Sequence, residues 1–357
     1  MGSVFGNNIK LSIFGESHGS GIGVVIDGLP AGEKIDLDEI DRQMQRRAPG
    51  SDKTATPRKE ADKPEIISGL LNSTTTGAPL CAIIRNTNTR SGDYSNLMNT
   101  PRPGHSDYAA YVRYGGFNDV RGGGHFSGRL TANLVFAGAV FRQILQRKGI
   151  SIAAHIYSIG NINDTPFEST GITAELCERL NGEKFALVDQ TNEDAMRAEV
   201  ERARMQGDSI GGVVECIVQG LPAGIGEPMF GGVENIIAAA VFGVPAVKGI
   251  EFGSGFAGAK SMGSQNNDEF YYDDDGNVKT RTNNHGGALG GITSGMPIIF
   301  RAAIKPTPSI SKKQNTVDLG AHCNAGLVIK GRHDPCIVPR AVSVIEAAAA
   351  AAVINLI

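Results

Sequence analysis

Short runs rich in β-branched residues alternate along the chain with stretches of helical period, and glycine or proline punctuates most of the boundaries. Residues 80–84, 213–218 and 297–304 read as strands bounded by Gly or Pro. Asp36, with Glu39 three positions on, makes a capping-box pattern that opens a helix carrying Ile40 and Met44 on one side. Residues 128–148 form a long apolar helix, with Arg147 and Lys148 in its last turn and Gly149 as its stop. Residues 191–206 predict a more polar helix, ended by Gly207. The alanine-rich stretch 341–357 contains Glu346 and is shorter than the roughly 20 residues of a membrane span, so it reads as a buried helix. This mix predicts an α+β fold, with helices packed against antiparallel sheets, over a regular βαβ alternation.

An internal echo supports two related halves. The segment Gly21-Ile22-Gly23-Val24-Val25-Ile26-Asp27-Gly28-Leu29-Pro30-Ala31-Gly32 resembles Gly211-Gly212-Val213-Val214-Glu215-Cys216-Ile217-Val218-Gln219-Gly220-Leu221-Pro222-Ala223-Gly224. Each is a short strand broken by Leu-Pro-Ala-Gly and followed by a helix-like segment, at an offset too large for a solenoid. Residues 271–278 fall short of a calcium loop and predict a hairpin, because Asp275-Gly276 lies between apolar residues. Gly253-Ser254-Gly255-Phe256-Ala257-Gly258 satisfies GxGxxG, but no helical pattern follows it, so a dinucleotide site is discounted.

Composition narrows the class. Glycine is in excess, at 47 of 357 residues, against about 7% in ordinary globular chains. A net charge of -3 argues against nucleic acid or a membrane surface as partner. The five cysteines are scattered and never form CxxC, which points to free thiols in a reducing compartment and to no zinc site. The N-terminus lacks a secretory pattern, and Gly6 stands where myristoylation wants Ser or Thr. A cytoplasmic location is expected.

Two histidines lead the candidate chemistry. His18 lies in Gly15-Glu16-Ser17-His18-Gly19, and His105 in Arg102-Pro103-Gly104-His105-Ser106-Asp107. Imidazole titrates near neutral pH, and glycine lets backbone approach a ligand, so both loops suit proton transfer. Arg121-Gly122-Gly123-Gly124-His125-Phe126-Ser127 runs into the long helix, where free N–H groups favour an anion; capping by Ser127 is the plainer reading. The basic run Arg42, Arg46, Arg47, Lys53, Arg58 and Lys59 is either a solvated face or a grip on a doubly anionic ligand. Residues 283–295 either offer bare backbone to a planar ring or make tight turns. Gly331-Arg332-His333-Asp334 groups a cation, an imidazole and a carboxylate, or is a capped turn. His155 sits in an apolar strand-like stretch and reads as structural.

In series, these segments resemble chorismate synthase. The matching pieces are FGESHG (14–19), DGLPAG (27–32), RRAPG (46–50), STTTGAP (73–79), RPGHSDY (102–108), RGGG (121–124), GDSIGG (207–212), AVKGIEFG (246–253), GSQNNDE (263–269), GGALGGITSG (286–295), KPTPSI (305–310) and GRHDPCIVPRA (331–341). The resemblance implies an anti 1,4-elimination of phosphate from 5-enolpyruvylshikimate-3-phosphate to give chorismate, with reduced FMN required and no net redox change. It implies a homotetramer whose pseudo-duplicated core holds helices between two antiparallel sheets.

Residue by residue, it implies that His105 protonates the leaving phosphate, that His18 protonates the reduced flavin, and that Asp334 relays the proton from flavin N5. Flavin contacts fall on His125, Phe126, Ser127, Ala246, Gly290, Lys305, Pro306, Thr307, Pro308, Ser309 and Arg332. Arg46, Arg47, Lys53 and Arg129 are expected to hold substrate anions, although Arg47 and Lys53 match positions associated with NADPH or substrate phosphate. The chain departs from the commoner pattern at His125 and Phe126, which stand for Arg-Ser, at Lys53, which stands for arginine, and at Pro245, which stands for asparagine. No flavin reductase segment follows the last motif, so one domain over 1–357 is expected, with FMN reduced by an external reductase and NADPH as a source of electrons. The rivals are a non-catalytic binder of phosphorylated metabolites, which needs neither His18 nor Asp334, and a flavin oxidoreductase, which would oxidise NADPH.

Overall fold

A computed structural model describes residues 2–50, 62–87, 97–329 and 333–357. The first half contains β1 (Val4–Phe5), β2 (Lys10–Gly15), β3 (Gly21–Asp27), α1 (Leu37–Arg47), β4 (Pro64–Ser68), β5 (Leu70–Leu71), β6 (Thr74–Thr75) and β7 (Leu80–Arg85). Next come α2 (Asp107–Tyr114) and α3 (Thr131–Arg147). The second half has β8 (Ser151–Ile159), β9 (Ile162–Asn163), α4 (Ala174–Gly182), α5 (Glu193–Met205), β10 (Gly212–Gln219), α6 (Val233–Phe242) and β11 (Val247–Phe252). Two short helices follow, α7 (Gly255–Gly258) and α8 (Gly263–Asn266), then the hairpins β12 (Phe270–Tyr272)/β13 (Val278–Thr280) and β14 (Ala288–Leu289)/β15 (Ile292–Thr293). The chain closes with β16 (Ile298–Ile304), β17 (Gln314–Asp318), β18 (Cys323–Leu327) and α9 (Val338–Val353).

The two main sheets share one plan. One runs β1-β2-β3-β7-β4; the other, taken from its far edge, runs β9-β8-β10-β16-β11, and their pairs are antiparallel. Hydrogen bonding at the repeated Leu-Pro-Ala-Gly confirms the duplication. Thr75 Oγ1 donates to Pro30 O at 2.6 Å and accepts from Glu33 N at 2.9 Å. Its main chain exchanges bonds with Gly32 and Glu33. Thr293 repeats each bond with Pro222, Ile225 and Gly224.

Between the sheets, α3 packs on β2 and β3 while α9 packs on β8 and β10, and the two helices pack on each other. The close helix contact explains the alanine run. A Cβ on Gly138 of α3 would lie 2.4 Å from the Ala347 Cβ of α9, so only small side chains let the layers approach to this distance. The helix read at 341–357 is therefore a buried helix. Among the described residues no helix is long and apolar enough to cross a membrane.

Local signals hold with one change. Asp36 caps α1 through bonds to Asp38 N and Glu39 N, but Glu39 turns outward to Arg42 and Gln43, so the reciprocal half of the capping box is absent. The 270–280 hairpin forms as read.

His155 is structural. Fully buried on β8, it lies between Asp164 (2.9 Å) and Glu215 (3.0 Å), and Glu215 pairs across the sheet with Arg301 at 2.8 Å. Burial opposes charge on the imidazole, yet hydrogen bonds to Asp164 and Glu215 outweigh it and raise its pKa. Burial likewise opposes both carboxylate charges, but the bonds from His155 hold Asp164 and Glu215 low.

The raised imidazole stabilises the fold fully below about pH 6.5, and that contribution is lost as pH rises through its folded value. The lowered carboxylates contribute above about pH 4.5 and lose their share as pH falls. His155→Gln is expected to cost about 3–5 kcal/mol by stranding two buried carboxylates. Thermal melts of both proteins across pH should show the largest gap between about pH 4.5 and 6.5, narrowing at higher pH.

Candidate active site

A cavity of about 950 Å³ opens where β1, β2, the 102–106 and 122–131 loops, the end of α6, the 305–309 loop and the start of α9 converge. Its size is at the upper end for small-molecule sites. Phe5, Leu11, Ile13, Leu134, Val244 and Val344 give it an apolar wall. Opposite in character are Arg47, Arg102, Arg129, Lys248, Lys305 and Arg340, while Asp334 is the one carboxylate in the lining among the described residues.

The three glycines after Arg121 bring the two lead histidines together. Gly122, Gly123 and Gly124 have φ of 59°, 83° and 52°, a left-handed run closed to other residues except at a cost of about 1–2 kcal/mol each. A Cβ on Gly122 would lie 2.4 Å from His18 Cδ2, and one on Gly123 would lie 3.2 Å from His105 Nε2. Gly124 O accepts from Ser17 N at 3.1 Å, fastening the His18 turn to the same loop. His18 is buried behind Gly122, whereas His105 faces the cavity. Arg121 itself turns away to Asp119 (2.8 Å), so the loop cradles imidazoles and does not direct Arg121 toward an anion. Ser127 is also a cap, accepting from Arg129 N at 3.2 Å.

A second cluster surrounds Asp62. Its carboxylate pairs with both Arg47 and Arg129, and Arg340 joins them through Nε to Arg47 O at 3.0 Å and Nη1 to Asp334 at 2.5 Å. Burial works against the Asp62 charge, but the neighbouring guanidinium groups of Arg47 and Arg129 win and hold its carboxyl low. Burial lowers Arg47 to about 9, which leaves it cationic at neutral pH. Three guanidinium groups face two carboxylates here, so the cluster keeps a positive excess toward the cavity.

The expected site residues separate clearly. His105, Asp334, His125, Phe126, Ser127, Ala246, Lys305, Thr307, Pro308, Ser309, Arg47 and Arg129 all line the cavity. Arg46 does not. It is buried on the other side of α1, where it pairs with Glu346 at 2.6 Å and bonds Gln43, Leu180 O and Glu183 O, so its donors hold the core together and have none to offer a substrate. Gly290 and Pro306 also lie outside the lining. The 286–295 glycines make the β14–β15 turn and close backbone packing, the tight-turn reading of that segment. Lys53, Arg58, Lys59 and Arg332 lie outside the described residues.

Four contributors escaped sequence reading: Arg102, Lys248, Asp62 and Arg340. Arg102, Lys248 and Arg340 stand inside the segments that carry the family resemblance, and only their place at the cavity reveals a role. His125 is pinned at both ring nitrogens, Nδ1 to Gly15 O at 2.8 Å and Nε2 to Ser3 Oγ at 2.7 Å. Lys305 donates to Gly104 O, and burial followed by the Lys248 charge lowers its pKa.

The sequence profile of the family described as "Chorismate synthase" matches residues 9–357. The chain belongs to the chorismate synthase family. It is 46% identical over 348 residues to the chorismate synthase of Korarchaeum cryptofilum, covering 97% of this chain and 94% of that one. It is 47% identical over 345 residues to that of Thermococcus kodakarensis, with the same two coverages. A crystal structure titled "Crystal Structure of Chorismate Synthase" superposes with a TM-score of 0.76 at 27% identity, covering 98% of this chain and 92% of that chain. The match takes in both duplicated halves from β2 onward and the cavity lining apart from Gly2, Ser3, Val4 and Phe5.

Gly122→Ala puts a Cβ into the His18 ring and an unfavourable φ on alanine. It is expected to lower turnover at least about tenfold by moving His18, while the melting temperature falls by only a few degrees. Wild-type turnover with an undisturbed His18 in its crystal structure would show that the glycine spacing has no catalytic role.

Proposed function

We propose that the chain catalyses the anti 1,4-elimination of phosphate from 5-enolpyruvylshikimate-3-phosphate to give chorismate, using reduced FMN as a cofactor that is not consumed. The observation that carries this reading is the cavity itself: among the described residues, six cationic side chains against one carboxylate, beside an imidazole with a ring nitrogen at the glycine loop. Such a lining suits a ligand with two carboxylates and a phosphate, since guanidinium groups bind both by paired charge-assisted bonds.

The flavin fits the remaining wall. Ala246 has a φ of 75° and leaves a cavity-lining bend with a small side chain, while Phe126 and the 305–309 loop add an apolar and polar edge. His125, Phe126, Ser127, Ala246, Lys305, Thr307, Pro308 and Ser309 would hold it. When bound, reduced flavin supplies transient electron density that eases departure of the phosphate.

The chain's own groups then handle protons and charge. Elimination breaks the carbon–oxygen bond to phosphate and the C6–H bond, so one proton must reach the leaving group and another must leave the ring. His105 Nε2 delivers the first as general acid. Asp334, which pairs with Arg340, would relay the second away from the site. Arg47, Arg129 and Arg340 hold the anions, and their fixed charges stabilise phosphate as its negative charge grows. His18, on the far side of Gly122, would supply a proton to the reduced flavin. The enzyme works as a cytoplasmic homotetramer, with reduced flavin supplied from outside and NADPH the ultimate reductant; exposed Met229, Phe230, Phe256 and Met262 provide apolar surface for subunit contacts.

An anaerobic assay with photoreduced FMN tests this reading. Phosphate release should require reduced flavin, and equal release with oxidised flavin or none would overturn it. His105→Ala and His18→Ala should each reduce turnover about 10²-fold or more; wild-type rates in both would remove their assigned roles.

A further inference from the structure

We infer that Asp107 is the positioning residue for His105, fixing which ring nitrogen carries the mobile proton, and that Arg102 clamps Asp107 in place. This rests on His105 being the general acid. Asp107 is the first residue of α2, where a helix favours an anion, and both it and Arg102 are buried. Arg102 Nε donates to Asp107 Oδ2 at 2.7 Å, Nη2 donates to Oδ1 at 2.8 Å, and the Arg102 main-chain N donates to Oδ2 at 3.0 Å. Burial opposes the carboxylate charge, but these bonds and the one from His105 hold the group far below the usual carboxylate range.

The decisive atom is His105 Nδ1. It lies 2.5 Å from Asp107 Oδ1, 3.2 Å from Arg102 Nη2 and 3.4 Å from Ser106 Oγ. A protonated Nδ1 donates to the carboxylate and a bare Nδ1 accepts from the guanidinium, while the Ser106 hydroxyl can serve either state and so does not discriminate. The shorter contact, to a group that is always an acceptor when ionised, decides for the proton on Nδ1. Arg102 Nη2 then directs one of its two hydrogens to Asp107 Oδ1, and its approach to Nδ1 is a contact between donors. Nε2 is left toward Gly123 and the cavity, and the proton that comes and goes is the one at Nε2. Both the charged and the neutral ring keep the same bond to Asp107, so His105 need not turn when it releases its proton.

The clamp reaches further. Arg102 Nη1 donates to Ser309 Oγ at 3.3 Å, and Lys305 holds Gly104 O. The segment leading into His105 is thereby tied at two points to the 305–309 segment.

Two measurements test the inference. In the wild-type protein labelled with 15N-histidine, and with the His105 signals assigned by loss in His105→Ala, the neutral ring should show a protonated Nδ1 and a bare Nε2. The opposite tautomer would overturn the proposal without any variant of Asp107. In Asp107→Asn, an amide NH2 must meet a donor on whichever side it falls, so the tautomer should shift or become mixed. The value of kcat should drop about 10- to 10²-fold with KM nearly unchanged. If His105→Ala retains wild-type turnover, the acid role fails; if it is inactive but Asp107→Asn keeps both the wild-type kcat and the wild-type tautomer, only the positioning role fails. Should Asp107→Asn not fold, Arg102→Lys keeps a cation but loses the two-pronged grip, and it should show the same selective fall in kcat; a wild-type kcat there would overturn the clamp.

Discussion

Two imidazoles can serve one small ligand only if the backbone between them is thin, and here it is two glycines thick. A Cβ at Gly122 or Gly123 would stand 2.4 Å from one ring or 3.2 Å from the other. Either would push a histidine out of line, and the left-handed φ values disfavour ordinary side chains even before contact is considered. The rest of the site is arranged about that loop. Ser17 N is bonded to its third glycine, the His105 loop rests against its second, and Asn86 links Arg129 to the His18 turn through bonds at 3.1 Å and 3.0 Å. Position 125 illustrates the same dependence. Its imidazole spends both nitrogens on Gly15 O and Ser3 Oγ, stitching the N-terminal strand to the loop where a longer arginine would extend past it.

Electrostatics explains why the cavity's cations come with acids behind them. Isolated guanidinium groups taken out of water cost several kcal/mol each, and close neighbours of like sign add to the cost. Asp62 between Arg47 and Arg129, Asp334 against Arg340 and Asp107 against Arg102 each offset that cost. The acids are fewer than the bases, so charge remains for a ligand. A fully neutralised pocket would bind a substrate with three anionic groups poorly, and an unneutralised one would destabilise the fold.

Much of this was legible along the chain, and the failures have specific causes. The strands, the long helices, the duplicated Leu-Pro-Ala-Gly and the two histidine loops follow from period and punctuation. Arg46 and Arg47 were indistinguishable, because adjacent residues on a helix differ by about 100° in direction and only the packing of α1 decides which one meets Glu346 in the core and which one faces the cavity. Arg102 and Asp107 flank His105 in a segment read for its histidine alone; their five-residue separation crosses a turn into a helix, and no periodicity predicts that their side chains meet. Asp62 gave no signal at all, since a lone carboxylate in a charged stretch looks solvated until two arginines are found around it.

The duplication also separates glycines that serve conformation from those that serve the site. At the β14–β15 turn Gly290 and Gly291 have φ of 62° and 87°, and at the equivalent β5–β6 turn Asn72 and Ser73 adopt 49° and 57°. The backbone shape is thus repeated without glycine in the other half, so the Gly290-Gly291 pair reflects local ease of turning. Gly69 and Gly287 repeat as well, each with a Cβ position blocked by the following strand, at 2.4 Å from Leu80 Cα and 2.3 Å from Pro297 O. The loop at 122–124 falls outside these repeated turns, between the two sheets' strand sets. Gly122 and Gly123 answer to the histidines against which they pack.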